Sequence, residues 1–357
     1  MVMKTTTSLV HKLCFVVLLI GLPFKSFGNE KEPQNNDSIK TLITQFQKEN
    51  NLIAANRLLN QNTALEVEYT FGVLNENLNL AKKTAQFEAL AYTYLSIGNF
   101  WFMRGNKIKA YENYRESEMI SRKHGYAKIT GLALMNASNV SSNMDKRIEQ
   151  LKLAVPYFNN ANDLLNLSKA YLNIGSCYSS YVLGAKILSV SNPTDSILPI
   201  TQTETNKIQF RDSAFRYYRL AENLNDSLQH PEVWASYNLR IAQWLKYDQN
   251  YALAEKHYRL SNQYFSRANL FKGSVYNMLE LAELKMQQQN YAQALKLADS
   301  TLILAQNYGF TDYYSDACLL ISEIYERLNN YGAAIEYYKL YHNNSLQSNA
   351  SLKDEKI

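Results

Sequence analysis

Residues 238–258 read NLRIAQWLKYDQNYALAEKHY. Apolar residues return at spacings of three and four, the period of a helix buried along one side. Two small residues, Ala242 and Ala254, stand 12 apart, with Ile241, Leu245, Tyr251 and Tyr258 as their large neighbours. Asn250-Tyr251 interrupts the pattern between them. The spacing predicts two antiparallel helices, each using its small residue to admit a large side chain of the other.

The pattern recurs in register. Residues 278–298 read MLELAELKMQQQNYAQALKLA and residues 318–338 read CLLISEIYERLNNYGAAIEYY. Ala242, Ala282 and Ser322 are therefore 40 apart, as are Ala254, Ala294 and Ala334. Upstream, Tyr94, Ile97, Gly98 and Trp101 precede Ala110 and Tyr114 in the same arrangement. Tyr171, Ile174, Gly175 and Tyr178 make another first helix, but the matching Ala214, Tyr218 and Ala221 lie 27 residues late. That displacement marks an insertion at 182–213, whose ends can prolong the two helices around a polar turn. It reads either as an arm that touches a partner or as a tolerated surface insertion. Between Gly98 and Gly175 there is room for one degenerate repeat, with Arg147, Leu151 and Ala154 on its second helix and Pro156 expected to shorten or bend it.

These residues resemble the tetratricopeptide repeat, whose usual period is about 34 residues. The resemblance covers residues 84–344 and implies an all-α, right-handed superhelical solenoid of antiparallel helix pairs. The proline that often ends the second helix of that family is replaced by Arg122, Ser266, Gln306 and Leu346. Each second helix is therefore expected to run on, which accounts for the longer period, with Gly125 and Gly309 as late helix stops. Residues 38–83 supply about three further helices that match poorly and are expected to cap the array.

The resemblance also implies a concave groove lined by the first helices. Its candidate residues are Tyr92, Asn99, Phe102, Lys169, Ser176, Gln243, Tyr247, Tyr276, Glu283, Glu323 and Arg327. The groove is expected to be aromatic and polar near its start and more acidic near its end. The same residues read equally well as merely exposed helix positions. Members that clamp the carboxylate tail of cytosolic chaperones carry Lys or Arg where this chain has Leu95, Leu172, Leu239, Leu279 and Leu319, so that ligand is disfavoured.

The first 28 residues read as an address. Lys4 and Lys12 precede an apolar run, Leu13–Leu22, then Pro23 and the small pair Ser26 and Gly28. This is the form of a secretory signal peptide cut after Gly28, and the run is shorter than the ~20 residues a span needs. Residues 29–37 form a polar leader and 345–357 a polar tail. Cleavage would remove Lys4, Lys12 and Lys25 and lower the formal net charge from +5 to +2. With no basic block remaining, nucleic acid and anionic lipid are poor partners, and no later segment is apolar enough to cross a membrane.

The chain has 357 residues, 46% hydrophobic, with 12 Gly, 6 Pro, 3 Cys and 27 Tyr. That excludes collagenous, disulfide-framework and disordered classes. The tyrosines are the excess to explain, and eleven of them fall at large-residue positions of the repeat. His124, His230, His257 and His342 stand apart from one another and from any metal-ligand spacing. Cys177 and Cys318 lie on first helices of distant repeats and read as small buried residues. No nucleophile motif or phosphate loop is present, so no catalytic residue, metal or cofactor is expected. The expected function is an exported scaffold that binds protein or peptide. The alternative is the input module of an envelope signalling system, which the long period, the leader and the Asn344-Ser345-Leu346 tail resemble. Its kinase or DNA-binding output would be absent or separately encoded. The C-terminal end of the array, without a capping helix, is expected to be open to a partner.

Overall fold

The computed structural model describes residues 36–62, 65–183, 204–228 and 230–354, and every regular element among them is a helix. The expected signal segment, most of the leader and the centre of the insertion lie outside these residues. Fifteen helices follow one another: α1 (Asn36–Lys48), α2 (Leu52–Gln61), α3 (Val67–Lys83), α4 (Phe87–Met103), α5 (Lys107–Lys123), α6 (Ala127–Val140), α7 (Met144–Asn160), α8 (Leu164–Leu183), α9 (Glu204–Leu228), α10 (Pro231–Tyr247), α11 (Tyr251–Arg267), α12 (Phe271–Gln287), α13 (Tyr291–Asn307), α14 (Thr311–Arg327) and α15 (Tyr331–Asp354). The chain divides into two compact units, Met1–Thr70 and Phe71–Ile357. In the first, Ile39, Ile43, Leu52, Ala55 and Leu59 are buried, and Lys40 pairs with Glu66 at 3.2 Å.

The second unit is a stack of antiparallel helix pairs, the tetratricopeptide-like fold. Its period has a different origin from the expected one. First and second helices are lengthened equally: α4, α5, α10, α11, α12, α13 and α14 each have 17 residues. Three-residue linkers join them. The middle linker residue turns left-handed, at Gly105, Gly125, Gln249, Asn269, Gln289, Gly309 and Asn329. The residue after it donates back into the last helical turn, as Asn250 N to Leu245 O at 2.8 Å and Phe310 N to Ala305 O at 2.8 Å. This closure satisfies carbonyls that the helix end leaves open, so the stop is set by the linker conformation, without proline. Gln249 and Gln289 carry a Cβ in a conformation costing about 1–2 kcal/mol. Gln249→Gly is expected to stabilise the unit by about 0.5–1 kcal/mol, read as a higher urea midpoint at unchanged slope.

The seams match the small–large rule. A Cβ on Gly98 would meet the Tyr114 ring at 2.5 Å, and one on Gly175 would meet the Tyr218 ring at 2.5 Å. Tyr114, Tyr218 and Tyr258 are almost wholly buried, as are Ala110, Ala254 and Ala294. A serine latch missing from the expectation reinforces two seams: Ser117 Oγ donates to Ala91 O and Ser261 Oγ to Ala235 O, both at 2.8 Å. Cys177 and Cys318 are buried free thiols.

The expectations for Pro156 and for two tyrosines need correcting, and two further features were not foreseen. Pro156 does not shorten its helix, since α7 continues to Asn160; its partner α6 is the short one, with 14 residues. The degenerate repeat seats Phe158 against Gly131, which stands too early in α6 for the common spacing. The polar tail at 345–357 is helical through Asp354, as the continuation of α15. Finally, Tyr331 and Tyr338 fill no closed seam and are 59% and 52% exposed. Their α13 counterparts, Tyr291 and Ala298, lie in a cluster shared by α12 and α14, whereas no described helix follows α15.

Candidate functional site

Side chains three and four positions apart share one helix face, so each first helix offers rows of residues in fixed register with its small residue. The pairs α4–α6, α8–α10 and α12–α14 pack first helix beside first helix, and these rows run on from one to the next. On this face a cleft of about 510 Å³ opens between α8 and α10. Met135, Leu172, Val233 and Leu270 form its apolar wall, and Lys169, Asn173, Glu232 and Ser236 its polar part. Lys169 and Glu232 face each other at 3.7 Å, while the Ser236 hydroxyl is committed to Glu232 O at 3.0 Å. The α8–α10 pairing beneath is fixed by a buried chain: Trp244 Nε1 donates to Ser179 Oγ at 2.8 Å, and Ser179 Oγ meets Tyr218 Oη at 2.7 Å. A buried helix-to-helix linkage of this kind holds the face above it in shape.

Farther along the same face lies a charged network. Lys246 Nζ reaches Glu280 at 2.6 Å and Glu283 at 3.1 Å. Glu280 also accepts from Tyr258 Oη at 2.9 Å, Tyr276 Oη at 2.7 Å and Gln243 Nε2 at 3.2 Å. Burial alone would raise the Glu280 carboxyl, but the Lys246 charge and these donors hold it down at about 2. Burial likewise opposes the Lys246 charge, and the two carboxylates overcome it and raise its pKa. Tyr258 and Tyr276 are pushed well above the usual phenol range by burial and by the carboxylate beside them.

The expected groove residues therefore fall into different settings. Gln243, Tyr276 and Glu283 come together in this network. Gln243 is only 4% exposed and its amide is already spent on Tyr276 and Glu280. Lys169 lines the cleft. Ser176 is buried, with its hydroxyl on Leu172 O at 2.8 Å. Asn99 accepts from Tyr114 Oη at 3.0 Å and Asn136 Nδ2 at 2.9 Å. Tyr92 packs with Leu95 and Ala110, while Phe102 and Tyr247 are exposed and Tyr247 lies edge-on to Trp244. Glu323 and Arg327 are exposed on α14. The acidic character expected toward the end is reduced at Glu280 and Glu283 by Lys246.

Asn173 and Glu280 escaped the sequence reading. Both stand two residues before the small residue, in the row Ser96, Asn173, Arg240, Glu280 and Leu320. Its change of chemistry at every step is the signal that identifies it. Among the described residues, no group of three or more His, Cys, Asp or Glu is placed to hold a metal ion, and no helix is long and apolar enough to cross a membrane.

No protein-family model matches the chain, and no curated protein matches it significantly. Solved structures share the fold. The apo form of RapI aligns at TM-score 0.54 and 11% identity, over 87% of this chain and 98% of its own. NprR in complex with its cognate peptide NprX aligns at TM-score 0.56 and 14% identity, over 85% and 84%. A signal transduction ATPase with a tetratricopeptide repeat sensor, from Pyrococcus horikoshii, aligns at TM-score 0.57 and 11% identity, over 90% of this chain and 45% of its own.

Proposed function

We propose that this chain is an exported peptide-binding scaffold whose ligand lies in the cleft between α8 and α10, and that it performs no catalysis. The observation that carries the proposal is the cleft itself, with the Asn173 amide set among apolar Met135, Leu172, Val233 and Leu270. A carboxamide offers one acceptor and two donors, which complement a peptide backbone, while the wall takes an apolar side chain. The peptide named in the NprR structure lends support by likeness of fold only. Selection from a phage-displayed random peptide library should enrich a consensus on the wild-type protein. Asn173→Ala should weaken the enriched peptide about tenfold, by removing the carboxamide that faces its backbone, with the urea midpoint unchanged. No consensus, or a consensus indifferent to Asn173→Ala, would refute the assignment.

Export belongs to the same proposal and rests on the leader alone. N-terminal sequencing of the protein recovered from the cell envelope should begin at Asn29. A second reading, a sensing input module, draws on the fold shared with the Pyrococcus sensor protein. It predicts that the peptide-bound form, and not the free one, engages an output protein.

A further inference from the structure

The last described helix, α15, repeats the register of a surface that α13 has largely covered. On α13 the stripe Tyr291, Leu295, Ala298 and Leu302 shares one apolar cluster with Leu279 and Ala282 of α12 and Ala317, Leu320 and Ile324 of α14. On α15 the same register holds Tyr331, Ile335, Tyr338 and His342. Positions i, i+4, i+7 and i+11 form one continuous stripe. Tyr331, Ile335 and Tyr338 are 59%, 55% and 52% exposed.

We infer that this stripe is the contact between two copies of the chain, paired through antiparallel α15 helices. Three observations favour a second copy. The surface continues an interface that the stack already forms from α13 to α14, so its curvature and spacing suit a helix. The stripe carries no Lys, Arg, Asp or Glu, and a twofold therefore brings no like charges together at its centre. Antiparallel pairing about the stripe's midpoint sets Ile335 against the partner's Tyr338 and Tyr331 against the partner's His342. The same twofold carries Lys339 alongside the partner's Glu336, and the reciprocal pair forms at the other end. Both of these charged residues are exposed on α15, on the solvent side of the stripe.

Sedimentation of the protein produced from the full chain tests the pairing. A concentration-dependent dimer is expected in the micromolar range. Ile335→Glu should raise its dissociation constant at least about tenfold by placing two carboxylates at the centre. Because Ile335 is exposed, the helical circular dichroism should be unchanged. Glu336→Lys should also weaken the dimer, and the double change Glu336→Lys with Lys339→Glu should restore it, as only reciprocal contacts predict. A wild type that stays monomeric throughout would overturn the inference and leave the stripe to a different chain or a following helix. A dimer unmoved by Ile335→Glu and Glu336→Lys would overturn it equally.

Discussion

Glu280→Ala is expected to destabilise the second unit by about 2–3 kcal/mol, because it removes the shorter carboxylate contact of a largely buried lysine and leaves it Glu283 alone, at 3.1 Å. Lys246 has only 14% of its side chain exposed, so it cannot turn to water when its partner is removed. Tyr258 and Tyr276 lose their acceptor at the same time. Replacing Lys246 and Glu280 together by Met and Leu should cost less than the sum of the two single changes, because the charge left behind, Glu283, has 33% of its side chain exposed to water. The pH dependence separates this from simple loss of packing. Glu280 is depressed to about 2 in the folded protein. Its contribution is therefore complete above the unfolded carboxylate value of about 4.3 and fades as pH falls toward the folded value. Lys246 is raised, so its contribution persists through neutral pH and fades only above the usual lysine range. Urea melts should show the deficit of Glu280→Ala constant between about pH 5 and 9 and shrinking below about pH 4. A deficit that does not change across the acid range would mean that the pair is not what holds the network.

Gly175→Val is expected to cost about 3 kcal/mol, at the upper end of overpacking. The new Cβ would lie 2.5 Å from the Tyr218 ring and 3.1 Å from the Ala214 carbonyl oxygen. Neither can yield easily. The ring is buried and its hydroxyl is held by Ser179, while the oxygen belongs to the α9 backbone. Valine brings no helix-forming advantage large enough to compensate. Shortening the ring in the same protein, Gly175→Val with Tyr218→Ala, should recover part of the loss, a coupling visible in a double-mutant cycle. At the fifth seam, by contrast, Ala282 faces Ala298, and Ala282→Gly should cost only the helix penalty of about 1 kcal/mol.

The repeat was legible because it is dictated by local volume. Wherever Gly or Ala recurs opposite Tyr, two helices must approach closely, and single residues such as Gly98 and Gly175 reveal it. The helix ends were less legible. Left-handed stops fall on Gln249, Gln289, Asn269 and Asn329 as well as on glycine, and glutamine carries little warning of that conformation. The short α6 was hidden because its large–small contact, Phe158 against Gly131, lies outside the common register. The candidate site was only half legible. Register placed Lys169, Gln243, Tyr276 and Glu283 on the first helices, but whether a polar side chain is free depends on long-range partners. Gln243 is spent on residues 33 and 37 positions away, and Lys246 on residues 34 and 37 away. Much of the tyrosine excess is likewise architecture, yet Tyr331 and Tyr338 show the same residue type turned into surface where no described helix follows.

Amide hydrogen exchange on the protein with and without a library-enriched peptide tests the binding assignment most directly. Protection gained in α8 (Leu164–Leu183) and α10 (Pro231–Tyr247), around the cleft, is the predicted result. Protection confined to the second helices α11 and α13, or none at saturating peptide, would contradict it.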